Sequence, residues 1–480
     1  MTAVNPLSTP ARQHGGVPEA ATPPDLAEPL AGFMARSSGD PLRSAFGDLR
    51  RAHPGSLAAP VPAEEFENLW AAMSQSPRSS PGTAYVHVPF CETHCLFCGF
   101  YKYHWRKRDG APYVDSVLTQ ARRLQGQPLL DGPPLRALYL GGGTPTILSA
   151  PDLHRLVSEL RGLLPLAPDC EITLEGRILA FTEDKMRAAF DAGVNRVSLG
   201  VQTFDEPIRR SLGRKASKQA VIATLETLVA FDSGAIVIDL IYGLPGQTFE
   251  TWAEDLRLVE AIGLDGVDLY GLNLIPGTPL MTAIDKRKLD PVPRQDLGVF
   301  YASGAEAMEQ AGWEAISTSH WRSPGLRERS VYNYLSKTGA ECIALGAGAG
   351  GALGGVGYRL IPTVEAYAKQ LDQGQLPITS MFRARQDAPL INVIRAGMER
   401  GRLDSTQVRA VPGGDAVMDD LEPLLAHWSR AGLLAPRQRF FDLTVAGRFW
   451  QVAMTQRIIG FLDHPQRRPM AALLREEGAK

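Results

Sequence analysis

Between Tyr85 and Leu274 the chain alternates short apolar runs with amphipathic stretches, and this rhythm constrains its fold more than any other feature. The runs are YVHV at 85–88, ALYL at 137–140, EITL at 171–174, RVSL at 196–199, AIVIDLIY at 235–242 and GVDLYGLNL at 266–274. Between them lie the helical patterns YVDSVLTQARRL, PDLHRLVSELRGLL, TEDKMRAAFDAG, KQAVIATLETLVAF and TWAEDLRLVEAIG. Strands separated by helix-length crossovers are expected to run parallel. Six such units fall short of the eight that close a full barrel, so the fold class expected is α/β, a partial (βα)6 TIM-like barrel.

In such sheets chemistry collects at the carboxyl ends of the strands. The sequence obeys that rule. A cysteine-rich loop follows the first strand, GGGTPT at 141–146 follows the second, Glu175 ends the third, Gln202 follows the fourth and Asp239 lies in the fifth.

The flanks read differently. Residues 1–40 are rich in Pro, Ala, Ser and Gly without apolar periodicity and are expected to be a disordered leader. Helical signals in DPLRSAFGDLRRAH and AEEFENLWAAM make 41–80 an N-terminal helical extension, and the partial barrel is assigned to 81–290. Residues 291–384 read as a substrate-covering extension carrying the glycine run LGAGAGGALGGVG at 345–357. From 385 to 480, LEPLLAHWSRAGLL and FDLTVAGRFW suggest a small helical, winged-helix-like module, so the carboxyl-terminal region is helix-rich.

Fifty basic against 52 acidic side chains leave a formal charge of −2, which gives no electrostatic case for nucleic acid or an anionic membrane. No apolar run approaches the roughly 20 residues of a membrane-spanning helix, and the amino terminus lacks the pattern of a secretory signal. Five cysteines, three of them clustered, suit a reducing compartment, and the location expected is the cytoplasm.

Those three are Cys91, Cys95 and Cys98, in the stretch CETHCLFC. Thiolate is a soft ligand for zinc, copper(I) and iron–sulfur clusters. Three thiolates on a four-iron cluster leave one iron with an open coordination position; three thiolates with His94 or His87 would instead close a zinc site. Cys170 and Cys342 stand apart and read as small buried residues.

The run Tyr85-Val-His-Val-Pro-Phe-Cys91, with Cys95 and Cys98 following, resembles radical S-adenosylmethionine (SAM) enzymes of the branch that contains oxygen-independent coproporphyrinogen III oxidase. The resemblance extends from about Tyr85 to Pro279 and implies a radical SAM partial barrel, a [4Fe–4S] cluster on Cys91, Cys95 and Cys98, and SAM chelated by the open iron. It further implies SAM contacts from Tyr85, Phe97, Gly142, Gly143, Thr144, Glu175, Gln202, Arg214 and Asp239. A second SAM would meet Asn273, Gly348 and Gly350. Within the branch, GFYKYHW at 99–105, LEGR at 174–177, RERSVYN at 327–333, GAGAGG at 346–351 and DPLRSAF at 40–46 resemble the anaerobic heme-degrading methyltransferases. The activity so implied is radical opening of the porphyrin by a methylene radical from the second SAM, which releases iron and a linear tetrapyrrole. His104 and His320, with neighbouring Trp105 and Trp321, are candidate heme contacts, and a flavodoxin- or ferredoxin-like electron donor is implied. The alternatives are coproporphyrinogen decarboxylation and heme carriage without turnover.

Overall fold

The computed structural model describes residues 27–48, 58–99 and 102–479. Six parallel strands form its centre: β1 (Thr83–Val88), β2 (Leu135–Gly142), β3 (Leu166–Gly176), β4 (Arg196–Gln202), β5 (Ala235–Tyr242) and β6 (Gly266–Gly271). Each pairs with the next in sequence order. The crossovers are α1 (Gly110–Arg122), α2 (Ala150–Leu163), α3 (Glu183–Ala192), α4 (Lys218–Phe231) and α5 (Phe249–Ile262). Helix α2 shows why they form. Ser149 accepts from the Asp152 N–H as its N-cap, and Leu153, Leu156, Val157 and Leu160 place one buried stripe against the sheet.

Antiparallel β7 (His320–Arg322) continues the sheet beyond β6, and β8 (Cys342–Leu345) joins β1 in parallel on the other side. With further antiparallel strands beyond each, the sheet has 13 strands among the described residues and stays open there, since its two end strands are not paired with each other. The expected partial barrel is therefore what forms. It is extended by a parallel strand at 342–345, within the stretch that the sequence assigns to a covering segment.

Alternation along the strands divides the two faces. In β1, Ala84, Val86 and Val88 are fully buried under the helices, while Tyr85 and His87 point to the concave side. The same parity puts Tyr139, Glu175, Gln202, Asp239, Asp268 and Tyr270 on the concave side and Leu138, Leu174, Val201, Ile238 and Leu269 under the helices. The inside of the barrel is thus polar, and burying that many ionisable groups demands partners or a ligand.

Helix α6 (Val331–Thr338) lies within the concavity. Glu171 accepts from the N–H groups of Val331 (2.9 Å) and Tyr332 (3.1 Å), which anchors the first turn of the helix. The Tyr332 ring stacks on Tyr139 at 4.5 Å between centroids.

The carboxyl-terminal region has its own core around Trp428, Trp450 and Phe461. It combines α7 (Ala388–Glu399) and other helices with a three-stranded sheet in the order Arg402–Asp404, Phe440–Leu443, Leu434–Arg437. One expectation is corrected here. Residues 1–26 lie outside the described residues, but the rest of the leader expected to be disordered is built into this core. It holds a helix at Ala27–Ala31, and Leu30 and Ala35 are buried. Trp428 donates to Phe33 O at 3.0 Å and Trp450 to Pro41 O at 2.8 Å, while Phe46 packs edge-on to both indoles.

Candidate active site

The cysteine loop begins where β1 ends. Phe90–Cys91 pairs in parallel with Tyr103–His104, so His104 stands opposite Cys91, and Trp105 N–H donates to Cys91 O at 2.9 Å. His104 itself is exposed. Phe100 and Tyr101, of the aromatic run, lie outside the described residues.

Cys91 and Cys95 are buried and Cys98 is half-exposed. The Thr144 hydroxyl donates to Cys91 Sγ at 3.4 Å, and Arg177 Nη2 to Cys95 Sγ at 3.0 Å. Burial raises the Cys91 thiol above its ordinary range, and the nearby Cys98 and Cys95 push it the same way, against the Thr144 hydroxyl and Arg177, which pull it down. A cationic guanidinium and a hydroxyl aimed at thiol sulfurs suit an anionic thiolate centre. The histidines considered for a zinc site are engaged elsewhere. His94 Nε2 lies 3.2 Å from Cys98 O, and His87 Nδ1 lies 2.9 Å from Tyr85 Oη.

The glycines of GGGTPT hold this loop against β2. Gly143 N–H donates to Val88 O at 2.8 Å, and a Cβ at Gly143 would stand 2.5 Å from the carbonyl oxygen of Phe90. Backbone cannot yield as a side chain can, so Gly143→Ala must displace the cysteine loop. Overpacking of that kind costs about 1–3 kcal/mol, and we expect roughly tenfold weaker SAM binding. Titration of the reduced cluster's EPR signal with SAM, alongside iron and sulfide per chain, checks this; unchanged values would show the contact to be dispensable.

Polar groups converge on the same end of the sheet. Glu175 Oε2 accepts from Gly142 N–H at 3.2 Å. Burial first and then the neighbouring Asp239 carboxylate push the Glu175 carboxyl up to about 7, and burial followed by Asp268 does the same to Asp239, again to about 7. Two buried carboxyls that resist ionising together form a place for a cation. Arg214 Nη1 donates to Gly200 O at 2.6 Å and its guanidinium lies over Phe97, 5.9 Å from the ring centroid. Its Nε, and Oε1 of the 6%-exposed Gln202, are buried with no partner. Gln202 also holds a left-handed backbone, φ 67°. A strained residue with an orphaned buried oxygen at a strand end has the character of a ligand-facing group. The residues present therefore fit a small zwitterion with hydroxyls and a cationic centre, beside a thiolate-held cluster.

The remaining candidates scatter. Asn273 is exposed just beyond β6. Gly348, φ 85°, belongs to the turn after β8, where an added Cβ would stand 3.7 Å from the His87 ring, and Gly350 opens the next strand. His320 is 3% exposed and forms ion pairs with Asp268 (2.7 Å) and Glu328 (3.2 Å), so its imidazole is committed to carboxylates and not presented to an iron. Sequence reasoning missed Arg177 as a partner of the cysteines, and Tyr270, which is 41% exposed on the concave face. Tyr270 could have been found from its place two residues after Asp268 on the same strand face.

The sequence profile of the Radical SAM superfamily matches residues 85–259, from the first strand into α5. Anaerobilin synthase of Escherichia coli O157:H7 is 40% identical over 414 residues, covering 84% of this chain and 90% of the relative. The chain belongs to the radical SAM superfamily. Membership implies a [4Fe–4S] cluster and SAM. The heme chaperone HemW of Lactococcus lactis is 31% identical over 290 residues, covering 60% of this chain and 74% of its own. Among solved structures, the coproporphyrinogen III oxidase HemN of Escherichia coli superposes with a TM-score of 0.70 over 85% of this chain and 96% of its own, at 23% identity. That likeness establishes the fold, an open radical SAM sheet with a helix-rich carboxyl-terminal region.

Proposed function

We propose that this chain degrades heme anaerobically, acting as a radical SAM methyltransferase that opens the porphyrin ring and releases iron and a linear tetrapyrrole. The observation that carries this reading is the 40% identity to anaerobilin synthase across 84% of the chain, which includes the flanking regions outside the barrel. When bound, the cluster and SAM supply a 5′-deoxyadenosyl radical by one-electron reduction.

The residues have distinct tasks in this reading. Cys91, Cys95 and Cys98 hold the cluster, with Arg177 and Thr144 aimed at the sulfurs of Cys95 and Cys91. Gly142 and Gly143 bring backbone close to SAM, Glu175 and Asp239 face its ammonium, sulfonium and hydroxyl groups, and Arg214 faces its carboxylate. Gln202 offers its orphaned oxygen, while Tyr85 and Phe97 wall the nucleotide. Asn273, Gly348 and Gly350 would hold a second SAM, the source of the transferred carbon. His104, exposed beside Cys91, would be the histidine that meets a macrocycle. Electrons come from a flavodoxin- or ferredoxin-like protein, and the reaction belongs in the cytoplasm.

The test is anaerobic incubation of reconstituted protein with SAM, reductant and heme, followed by mass spectrometry of the tetrapyrrole. We expect loss of the Soret band and a methylated, ring-opened product. Heme passed intact to an acceptor, or vinyl groups formed from coproporphyrinogen, would assign the chain to another branch.

A further inference from the structure

A small cavity of about 110 Å³ lies below the strand ends, between β6, α6 and α7. Sites for whole drug-sized ligands measure roughly 300–1,000 Å³, so this one has room for a side arm and not for a macrocycle. Its floor is the Asp268–His320 pair, and its walls include Asn333, Tyr334, Lys337 and Arg400. Lys337 is ion-paired with Glu399 of α7. The Arg400 guanidinium lies over the Tyr334 ring, 5.5 Å from its centroid, and spends only its Nε–H on Ala396 O, at 3.3 Å. Stacking holds the planar fork in one orientation, and Arg400 is exposed. An oriented guanidinium beside an ammonium and a carboxamide is a set of donors matched to a carboxylate.

The cavity is tied to the proposed active site through one strand, since Asp268, which lines it, belongs to β6. Asp268 stands opposite Asp239 in the β5–β6 register, and Tyr270 follows two residues along on the same face. Two residues of strand span about 7 Å, so the cavity lining at Asp268 and the Tyr270 ring are neighbours on one face of β6. We propose that this cavity receives a carboxylate arm of the tetrapyrrole, fixing the ring over Tyr270 with Arg400 as the principal anchor. The proposal rests on the tetrapyrrole reading above and assigns to the carboxyl-terminal region, which contributes α7 and Arg400, a part in selecting substrate.

The experiment compares anaerobic Soret titrations of heme and of heme dimethyl ester, whose arms carry no charge. Wild-type protein should bind heme about tenfold more tightly than the diester, the worth of one charge-assisted pair. Arg400→Gln should abolish that difference by weakening heme alone, and Arg400→Lys should restore part of it. Equal affinity of the wild type for both ligands, or equal weakening of both by Arg400→Gln, would overturn the pocket while leaving the tetrapyrrole reading intact. If the wild type binds neither while SAM still shifts the reduced cluster's EPR signal, the tetrapyrrole reading falls and the pocket with it.

Discussion

Cys95→Ala is expected to fold and yet lose SAM cleavage entirely. Cys95 is 1% exposed, and its sulfur is the one that receives a guanidinium, from Arg177 at 3.0 Å. Arg177 also donates to the Thr93 carbonyl (2.9 Å) and hydroxyl (3.1 Å), so one side chain ties the loop to β3 and compensates thiolate charge. Removing a group that sits behind a metal ligand costs roughly 10–100-fold in affinity or activity. Arg177→Ala should fall in that range, and loss of the ligand itself should exceed it. The cluster has no spare thiolate among the described cysteines nearby, since Cys170 and Cys342 lie in β3 and β8, away from the loop. Cys170→Ala and Cys342→Ala should therefore keep iron content and activity. The measurements are iron and sulfide per chain after anaerobic reconstitution, the EPR spectrum of the reduced protein, and 5′-deoxyadenosine by chromatography. A Cys95→Ala protein with full turnover would remove the cluster from the mechanism.

What the chain discloses before folding is what local chemistry decides. Strands announce themselves because Ala84, Val86 and Val88 alternate with Tyr85 and His87 within six residues, and the cluster loop because its three cysteines lie within eight. The gathering of Glu175, Gln202 and Asp239 on one side of the sheet was legible from the strand pattern. Contacts across long separations were not. CIAL at 342–345 is too short an apolar run to distinguish strand from buried helix, and its place beside β1 depends on Thr83 and Tyr85, more than 250 residues earlier. Arg177 reaches Cys95 across 82 positions. The Pro- and Ala-rich leader concealed Leu30 and Phe46, whose burial depends on tryptophans near the other end of the chain. His320 shows the reverse error. An isolated histidine beside a tryptophan resembles a ligand until its carboxylate partners, one on a neighbouring strand and one eight residues further along the chain, come into view.

Those partners carry the second large effect. Glu328→Gln should destabilise the protein by about 3–5 kcal/mol, the cost of breaking a buried ion pair from one side. Arg196 Nε reaches both Glu328 oxygens, at 3.1 and 2.9 Å, with side chains 3% and 0% exposed, and His320 Nε2 approaches the same carboxylate at 3.2 Å. Without that charge, two buried cations lose their shared counter-ion. Replacing the pair together, as Arg196→Met with Glu328→Leu, should recover much of the loss, because desolvation then disappears along with attraction. The pH dependence separates this account from simple misfit. Burial opposes ionisation of Glu328, but Arg196 and His320 overcome it and hold the carboxyl down to about 2. Its contribution is thus complete above the ordinary carboxylate range and is lost as pH falls toward 2. Burial pulls His320 down, yet Asp268 and then Glu328 raise it to about 9, so its contribution is complete below about 6.5 and is lost as pH rises through 9. The gap between wild type and Glu328→Gln in urea unfolding should accordingly be widest from about pH 4.5 to 6.5 and narrow toward pH 9. A gap that stays constant across this window would mean that shape, and not charge, holds the floor of the barrel.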